Sequence, residues 1–217
     1  MRIVIVAGGD LDPGDADRLD GADLVIAADG GASTLDALGR RPDRLVGDLD
    51  SVEPALVRRL EAAGVPVDRH PQDKDASDTE IALAAAIEAG GTELVLLGAI
   101  GGDRLDHELA NLLLVADPQH ASRDLRAVRG GTTVRAVHAG RRLTLVGAAD
   151  DLVTLLPLGD AARGVRTEGL RWALSDATLT LGASRGLSNL VVTAPASVSL
   201  ERGTLLVVET TAQGANP

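Results

Sequence analysis

Cysteine is absent from the 217 residues, which excludes disulfides, thiolate-bound metals and a cysteine nucleophile together. Phenylalanine and tyrosine are absent too, and Trp172 is the only aromatic ring, so the core must be built from Leu, Val, Ile and Ala. Positive charge is in short supply: 21 basic against 32 acidic side chains give a formal net charge of −11, and Lys74 is the only lysine. A chain this acidic does not draw its affinity from nucleic-acid phosphates or anionic lipid, because both need clustered positive charge. We therefore expect no nucleic-acid and no membrane partner. No apolar run approaches the ~18 to 20 residues of a membrane helix. The first run, Ile3 to Ala7, is too short for a signal-peptide core, and a cytoplasmic protein is expected.

What is present is globular in balance, with 45% apolar and 24% charged residues. From Met1 to about Arg129, short apolar runs (Arg2 to Val6, Leu24 to Ala28, Arg44 to Val46, Glu93 to Leu97) alternate with helical segments (Thr34 to Leu38, Pro54 to Ala63, Asp78 to Ala89, Asp106 to Ala116). That alternation predicts βαβ units and a parallel sheet covered by helices. Beyond Gly130, β-prone runs recur every eight to twelve residues between Gly or Asp turns, the spacing of an antiparallel sandwich. The expectation is an α/β domain over 1–129, a β-sandwich over 130–211 and a disordered tail over 212–217.

Two acidic constellations carry chemistry. The run Gly47 to Ser51 follows a strand, and if the chain stays extended there Asp48 and Asp50 project to one side, where two carboxylates suit a hard cation such as Mg²⁺. An acidic turn before the next helix reads equally well. The run Asp73 to Glu80 holds Asp75 and Asp78 around Lys74, with Ser77 and Glu80 at capping-box spacing. Macrodipole complementation accounts for Asp78. The crowding of like charges needs a cation or ligand to offset it. Glycines follow three predicted strands, at Gly8 and Gly9, at Gly30 and Gly31 after Asp29, and from Gly98 to Gly102, where backbone amides can approach phosphate oxygens. None forms a P-loop or dinucleotide fingerprint.

Arg104, Asp106 and His107 stand at a helix entrance, where Arg104 could neutralise phosphate charge in a transition state; the plainer reading is a helix cap with solvated neighbours. His70, His120 and His138 lack metal-ligand spacing. Ser184 in GASRG matches a nucleophile elbow in letters only, since a strand rather than a helix follows and no histidine lies downstream. The acidic stretch Asp10 to Asp17 lacks the ligand order of a calcium loop and is expected to be solvated.

These residues resemble the thiamine pyrophosphokinase family. The resemblance runs through ADGGA at Ala28 to Ala32, RPDRLVGDLDS at Arg41 to Ser51, KDASDTE at Lys74 to Glu80, GAIGGDRLDHELAN at Gly98 to Asn111, GLRWAL at Gly169 to Leu174 and SRGLSN at Ser184 to Asn189. It implies transfer of pyrophosphate from ATP to the hydroxyl of thiamine, by a homodimer whose active sites are shared between subunits. It further implies Mg²⁺ at Asp48, Asp50 and Asp78, with Asp75 and Arg104 catalytic. Asp29, Gly30, Gly31, Lys74, Gly101, Gly102, Asp106 and His107 become nucleotide contacts, and Trp172, Ser188 and Asn189 thiamine contacts. There are two departures: Asp103 adds a residue to the family's GGRxDH, which bears on where Arg104 stands to the phosphates, and Leu190 replaces the acid of SNE near the thiamine pocket, which bears on the substrate. The alternatives are a pyrophosphokinase for another alcohol such as a hydroxymethylpterin, and a non-catalytic nucleotide or thiamine sensor.

Overall fold

The computed structural model describes residues 1–212. Of the tail expected to be disordered, only Ala212 lies within them, and its N–H donates to Asp151 Oδ1 at 2.8 Å. The chain divides into two compact units, one of Met1–Leu114 with Arg123–Gly130, the other of Val115–Ser122 with the chain from Gly131.

The first unit runs β1 (Arg2–Val6), β2 (Leu24–Ala28), α1 (Gly31–Ala37), β3 (Arg44–Gly47), α2 (Pro54–Ala62), β4 (Val67–Arg69), α3 (Asp78–Glu88), β5 (Glu93–Leu97), α4 (Leu105–Val115) and β6 (Asp124–Arg129). Its strands lie in the order β4-β3-β2-β1-β5-β6, every adjacent pair parallel. Ile3, Val4, Ile5 and Val6 are all fully buried, as a strand covered on both faces requires. Val4, Val6, Leu35, Leu45, Leu56, Leu60, Val95 and Leu97 belong to one apolar core. Pro54 opens α2, where its missing N–H costs nothing. Ser77 caps α3, its hydroxyl accepting from the Glu80 N–H at 3.2 Å.

The order of strands fixes where a ligand can enter. From β1 the chain steps outward through β2, β3 and β4, then returns to place β5 on the other side of β1. Loops leaving β1 and β5 therefore diverge, opening a crevice at the carboxyl edge of the sheet. Gly9 permits close contact there: its N–H donates to Gly98 O at 2.9 Å, and a Cβ on it would stand 2.4 Å from that oxygen.

The stretch Asp10 to Asp17 is not a solvated loop. Pro13–Leu19 winds as a 3-10 turn that buries Asp15 completely. Its carboxylate accepts from the Asp12 and Gly130 N–H groups at 3.0 and 2.9 Å, and Arg18 approaches to 3.4 Å. Burial is tolerated because each oxygen is satisfied.

The second unit is antiparallel: β7 (Thr132–His138), β8 (Arg142–Thr144), β9 (Leu152–Glu168), β10 (Ala177–Leu179), β11 (Asn189–Leu190), β12 (Ser197–Ser199) and β13 (Arg202–Thr210). The 17-residue β9 pairs with β13 through Leu158 and with β10 and β12 beyond Ala161, turning a corner at Gly159 and Gly164, both at positive φ. Its residues on both stretches, Val153 and Leu155 with Ala162 and Val165, join a single core with Val198, Leu205 and Val207. Ser184 sits in an isolated 3-10 turn that leads into β11, so the elbow-like letters carry no elbow. No helix among the described residues is long and apolar enough to cross a membrane.

Candidate active-site cleft

At the carboxyl edge of the first unit lies a cleft of about 700 Å³, walled by Gly8, Gly9, Gly30, Gly98, Gly101 and Gly102 and by the polar side chains of Asp29, Lys74, Asp75, Asp78, Arg104 and His107. The glycines come from the ends of β1, β2 and β5, where absent side chains let a phosphate approach the backbone, although the N–H of Gly9 is taken by Gly98 O.

Three carboxylates gather at this edge. Asp29 follows β2, Asp48 follows β3, and Asp78 is the first residue of α3; one oxygen of each lies within 4.8 Å of the others. Asp29 reaches the cluster through a left-handed backbone, φ 44°, anchored by its N–H to Val46 O at 2.8 Å. The Ser51 hydroxyl donates to Asp29 Oδ2, while Oδ1 is buried without a hydrogen-bond partner. Asp78 Oδ1 likewise makes no hydrogen bond and has only the ionic approach of Lys74 Nζ at 3.1 Å. Buried carboxylate oxygens left without donors are costly unless a cation completes them. The set fits Mg²⁺, a hard ion that takes oxygen ligands.

Gly47 makes the gathering possible. At φ 150° it brings β3 so close that a Cβ would lie 3.0 Å from Asp29 Cβ and 3.2 Å from Asp78 Oδ1. Leu49, at φ 64°, then turns the chain, so it does not stay extended from Asp48 to Asp50. Asp50 is not one of the three carboxylates that lie within 4.8 Å of one another. Asp50 is exposed, accepting from Gln72 Nε2 at 2.9 Å, while its N–H donates to Asp48 Oδ1 at 3.2 Å and its carboxyl also adjoins that of Asp48.

Lys74 Nζ bridges Asp48 Oδ2 at 2.7 Å and Asp78 Oδ1 at 3.1 Å, with its side chain 13% exposed. That ammonium holds the Asp48 carboxyl below the usual range despite the opposing effect of burial, and the Asp48 carboxylate in return raises Lys74. Arg104 forms a two-pronged pair with Asp106, at 2.9 and 2.7 Å, which holds Asp106 well below the usual carboxylate range. Asp106 is thus engaged with Arg104 and does not line the cleft. Gly31 also stands back, packed where a Cβ would meet Val6 O at 1.9 Å. Asn111, buried in α4, donates to Ala99 O at 3.1 Å and pins the loop after β5. Ser51 and Asn111 lie inside the motifs that carry the resemblance and Gln72 lies just before one, yet only the fold reveals what each one holds.

In the second unit, Trp172 is 56% exposed, with the Arg171 guanidinium 5.2 Å from its ring centre. Asn189 is buried and its amide is spent internally: Oδ1 accepts from the Trp172 and Leu190 N–H groups at 3.1 and 2.9 Å, and Nδ2 donates to Trp172 O at 2.8 Å. It holds the backbone of Trp172. Ser188 is exposed at φ 56°, its N–H donating to Thr154 Oγ1 at 3.0 Å. Replacing Asn189 with alanine is expected to cost about 1 to 3 kcal/mol in lost bonds and to loosen the segment around Trp172. Since Trp172 is the only tryptophan, the measurement is direct: its fluorescence anisotropy should fall in the variant, and an unchanged anisotropy would contradict the anchoring role.

A glycine-walled, carboxylate-bearing crevice at a switch point places the first unit among the α/β proteins that receive phosphorylated ligands. Comparison with known proteins narrows the class. The thiamin pyrophosphokinase catalytic domain matches residues 16–127, and the thiamin pyrophosphokinase vitamin B1 binding domain matches residues 144–205. The chain belongs to the thiamin pyrophosphokinase family, a family of ATP-using kinases. It is 26% identical over 211 residues to a thiamine pyrophosphokinase of Bacillus subtilis (strain 168), covering 96% of this chain and 98% of that one. A thiamine pyrophosphokinase 1 of Oryza sativa subsp. japonica is 25% identical over 211 residues, covering 79% of this chain and 73% of that protein. The crystal structure of a thiamin pyrophosphokinase from Geobacillus thermodenitrificans superposes with a TM-score of 0.84 at 27% identity, covering 100% of each chain.

Proposed function

We propose that the chain transfers the pyrophosphoryl group of ATP to the hydroxyl of thiamine, with Mg²⁺ held by the carboxylates at the mouth of the cleft. Oxygen–phosphorus bond formation at the β-phosphorus breaks the bond to the α-phosphate, the hydroxyl loses its proton, and thiamine diphosphate and AMP leave. The observation that carries this reading is the meeting of Asp29, Asp48 and Asp78 beside glycine-walled phosphate space within a chain of this family. Mg²⁺ there supplies charge neutralisation on the transferring oxygens.

The chain's own groups do the rest. The Gly8, Gly101 and Gly102 turns offer N–H groups to the phosphates, and Lys74 and Arg104 bring positive charge to the same space. Asp50 is held beside the cluster by Gln72, and Asp75 and His107 line the wall the nucleotide would touch. Trp172 offers an exposed ring face to a cationic thiazolium, with Asn189 fixing the ring's backbone and Ser188 next to Asn189 in the chain. We further propose a cytoplasmic homodimer with shared active sites. Leu105, Leu109 and Leu113, spaced along one face of α4 and each more than half exposed, favour coverage by a second copy.

Product analysis tests the reaction. Purified protein with ATP, Mg²⁺ and thiamine should yield AMP and thiamine diphosphate in equal amounts. ADP with thiamine monophosphate would show the wrong bond broken, and no product with thiamine would turn the search to other alcohols.

A further inference from the structure

We propose that Lys74 is a built-in stand-in for the divalent cation: without metal its ammonium occupies the carboxylates the cation needs, and metal binding releases it to the nucleotide's phosphates. This inference rests on the cation site proposed above.

The placement is specific. The only lysine of the chain lies between two of the three clustered carboxylates, at 2.7 Å from Asp48 and 3.1 Å from Asp78. An ammonium is a compact point charge that can sit among oxygens, where a planar guanidinium would address them edge-on. Both partners are shielded, the Lys74 and Asp48 side chains being 13% exposed, so screening by solvent is weak and the pairing is strong. Without Lys74, three carboxylates would confront one another with no positive charge among them. A divalent ion and an ammonium drawn to the same two carboxylates repel, and the ion carries twice the charge. Exchange is the resolution.

The released side chain has a destination. Lys74 precedes the Ser77 cap of α3, on a four-carbon stem, and lines the cleft where the polyphosphate would lie. With nucleotide present, displacing the ammonium costs little because phosphate oxygens receive it. With nucleotide absent, the ammonium competes with the metal. Metal and nucleotide should therefore bind cooperatively, each easing the entry of the other.

The test is calorimetric titration of the full chain with Mg²⁺ alone, without nucleotide or thiamine. Lys74→Met should bind Mg²⁺ at least about tenfold tighter than the wild type, because a competing cation has gone. Lys74→Arg, which keeps the charge, should stay near wild type. Lys74→Gln provides a polar second variant should the methionine fail to fold, and it should gain affinity in the same direction. In saturating non-hydrolysable ATP analogue the gain of the neutral variants should vanish or reverse. Neutral variants that bind Mg²⁺ no more tightly than wild type, or an arginine variant that gains as much as they do, would overturn the proposal. If the wild type still made AMP and thiamine diphosphate in that case, the stand-in role alone would fall. Absence of both Mg²⁺ binding and product in the wild type would remove the cation-site reading together with the inference built on it.

Discussion

Asp78→Asn should lower kcat by about 10³ or more while leaving the fold intact. The substitution keeps the volume and removes one charge from the group formed by Asp29, Asp48 and Asp78. It leaves Ser77 capping α3, because the cap acts through its own hydroxyl to the Glu80 N–H. Asp29→Asn should fall as far under the proposed metal assignment, since its buried Oδ1 has no hydrogen-bond partner and an amide would serve a cation poorly there. Asp50→Asn separates two readings of the site. The spacing and the family resemblance make Asp50 a ligand, whereas in the structure its exposed carboxylate accepts from Gln72 and adjoins Asp48. Steady-state rates of the three variants at saturating Mg²⁺, with thermal melts as the folding control, decide the matter. A smaller loss for Asp50→Asn than for Asp29→Asn places Asp29 on the metal and Asp50 beside it. Near wild-type turnover in Asp78→Asn would end the metal assignment.

Why Asp50 rather than Asp29 stands out in the sequence is a matter of what local pattern can encode. Asp48 and Asp50 are two residues apart, and strand periodicity invites pairing them; the chain is not extended there, because Leu49 adopts φ 64°. Asp29 joins Asp48 because β2 and β3 are hydrogen-bonded neighbours, with Ala28 opposite Val46. Strand adjacency is a tertiary fact that no spacing reveals. Strands with continuous apolar runs, β1, β2, β3 and β5, are legible from composition. β4 and β6 are not: Val67–Arg69 is three residues with two charges, and Asp124–Arg129 alternates charge with aliphatics at the margin of the pattern. Arg126 on β6 is accommodated by pairing with Glu93 on β5, a partner 33 residues distant.

The second unit shows the same limit from another side. Pro157, Gly159 and Asp160 read as the end of a strand, and a break near Leu156 is the natural inference. Instead β9 continues to Glu168, because Gly159 and Gly164 at positive φ let one strand bend and change partners without ending. Asn189 resembles a ligand contact by motif, yet every polar atom of its amide is bound to the backbone at Trp172 and Leu190. A motif records which residue matters to a site. Only the hydrogen bonds record whether it touches the ligand or positions the residue that does.

Glu209→Ala should destabilise the second unit by about 3 to 5 kcal/mol. Glu209 on β13 and Arg135 on β7 are diagonal neighbours, Glu209 opposite Thr133 and Arg135 opposite Val207, their side chains 4% and 8% exposed. Oε1 accepts from Arg135 Nη2 at 2.5 Å and Nε at 3.2 Å. Oε2 takes the Val146 and Gly147 N–H groups at 2.7 and 3.1 Å, tying the chain after β8 to the edge of the core. Truncation therefore abandons a buried guanidinium, which keeps its bond to Thr144 O at 2.9 Å, together with two backbone donors. For a chain of this size each kcal/mol is worth about 2 to 4 °C of Tm, so the loss is readily measured. Urea unfolding followed by the fluorescence of Trp172 reports this unit selectively, because no other tryptophan contributes. Removing both charges, as Arg135→Met with Glu209→Leu, should recover much of the loss, since the buried pair spends most of its attraction on its own desolvation. Recovery should stop short of wild type because the Val146 and Gly147 donors stay unpaired. A single variant that loses less than about 1 kcal/mol would mean water reaches Arg135 when its partner goes, contrary to the burial of both side chains.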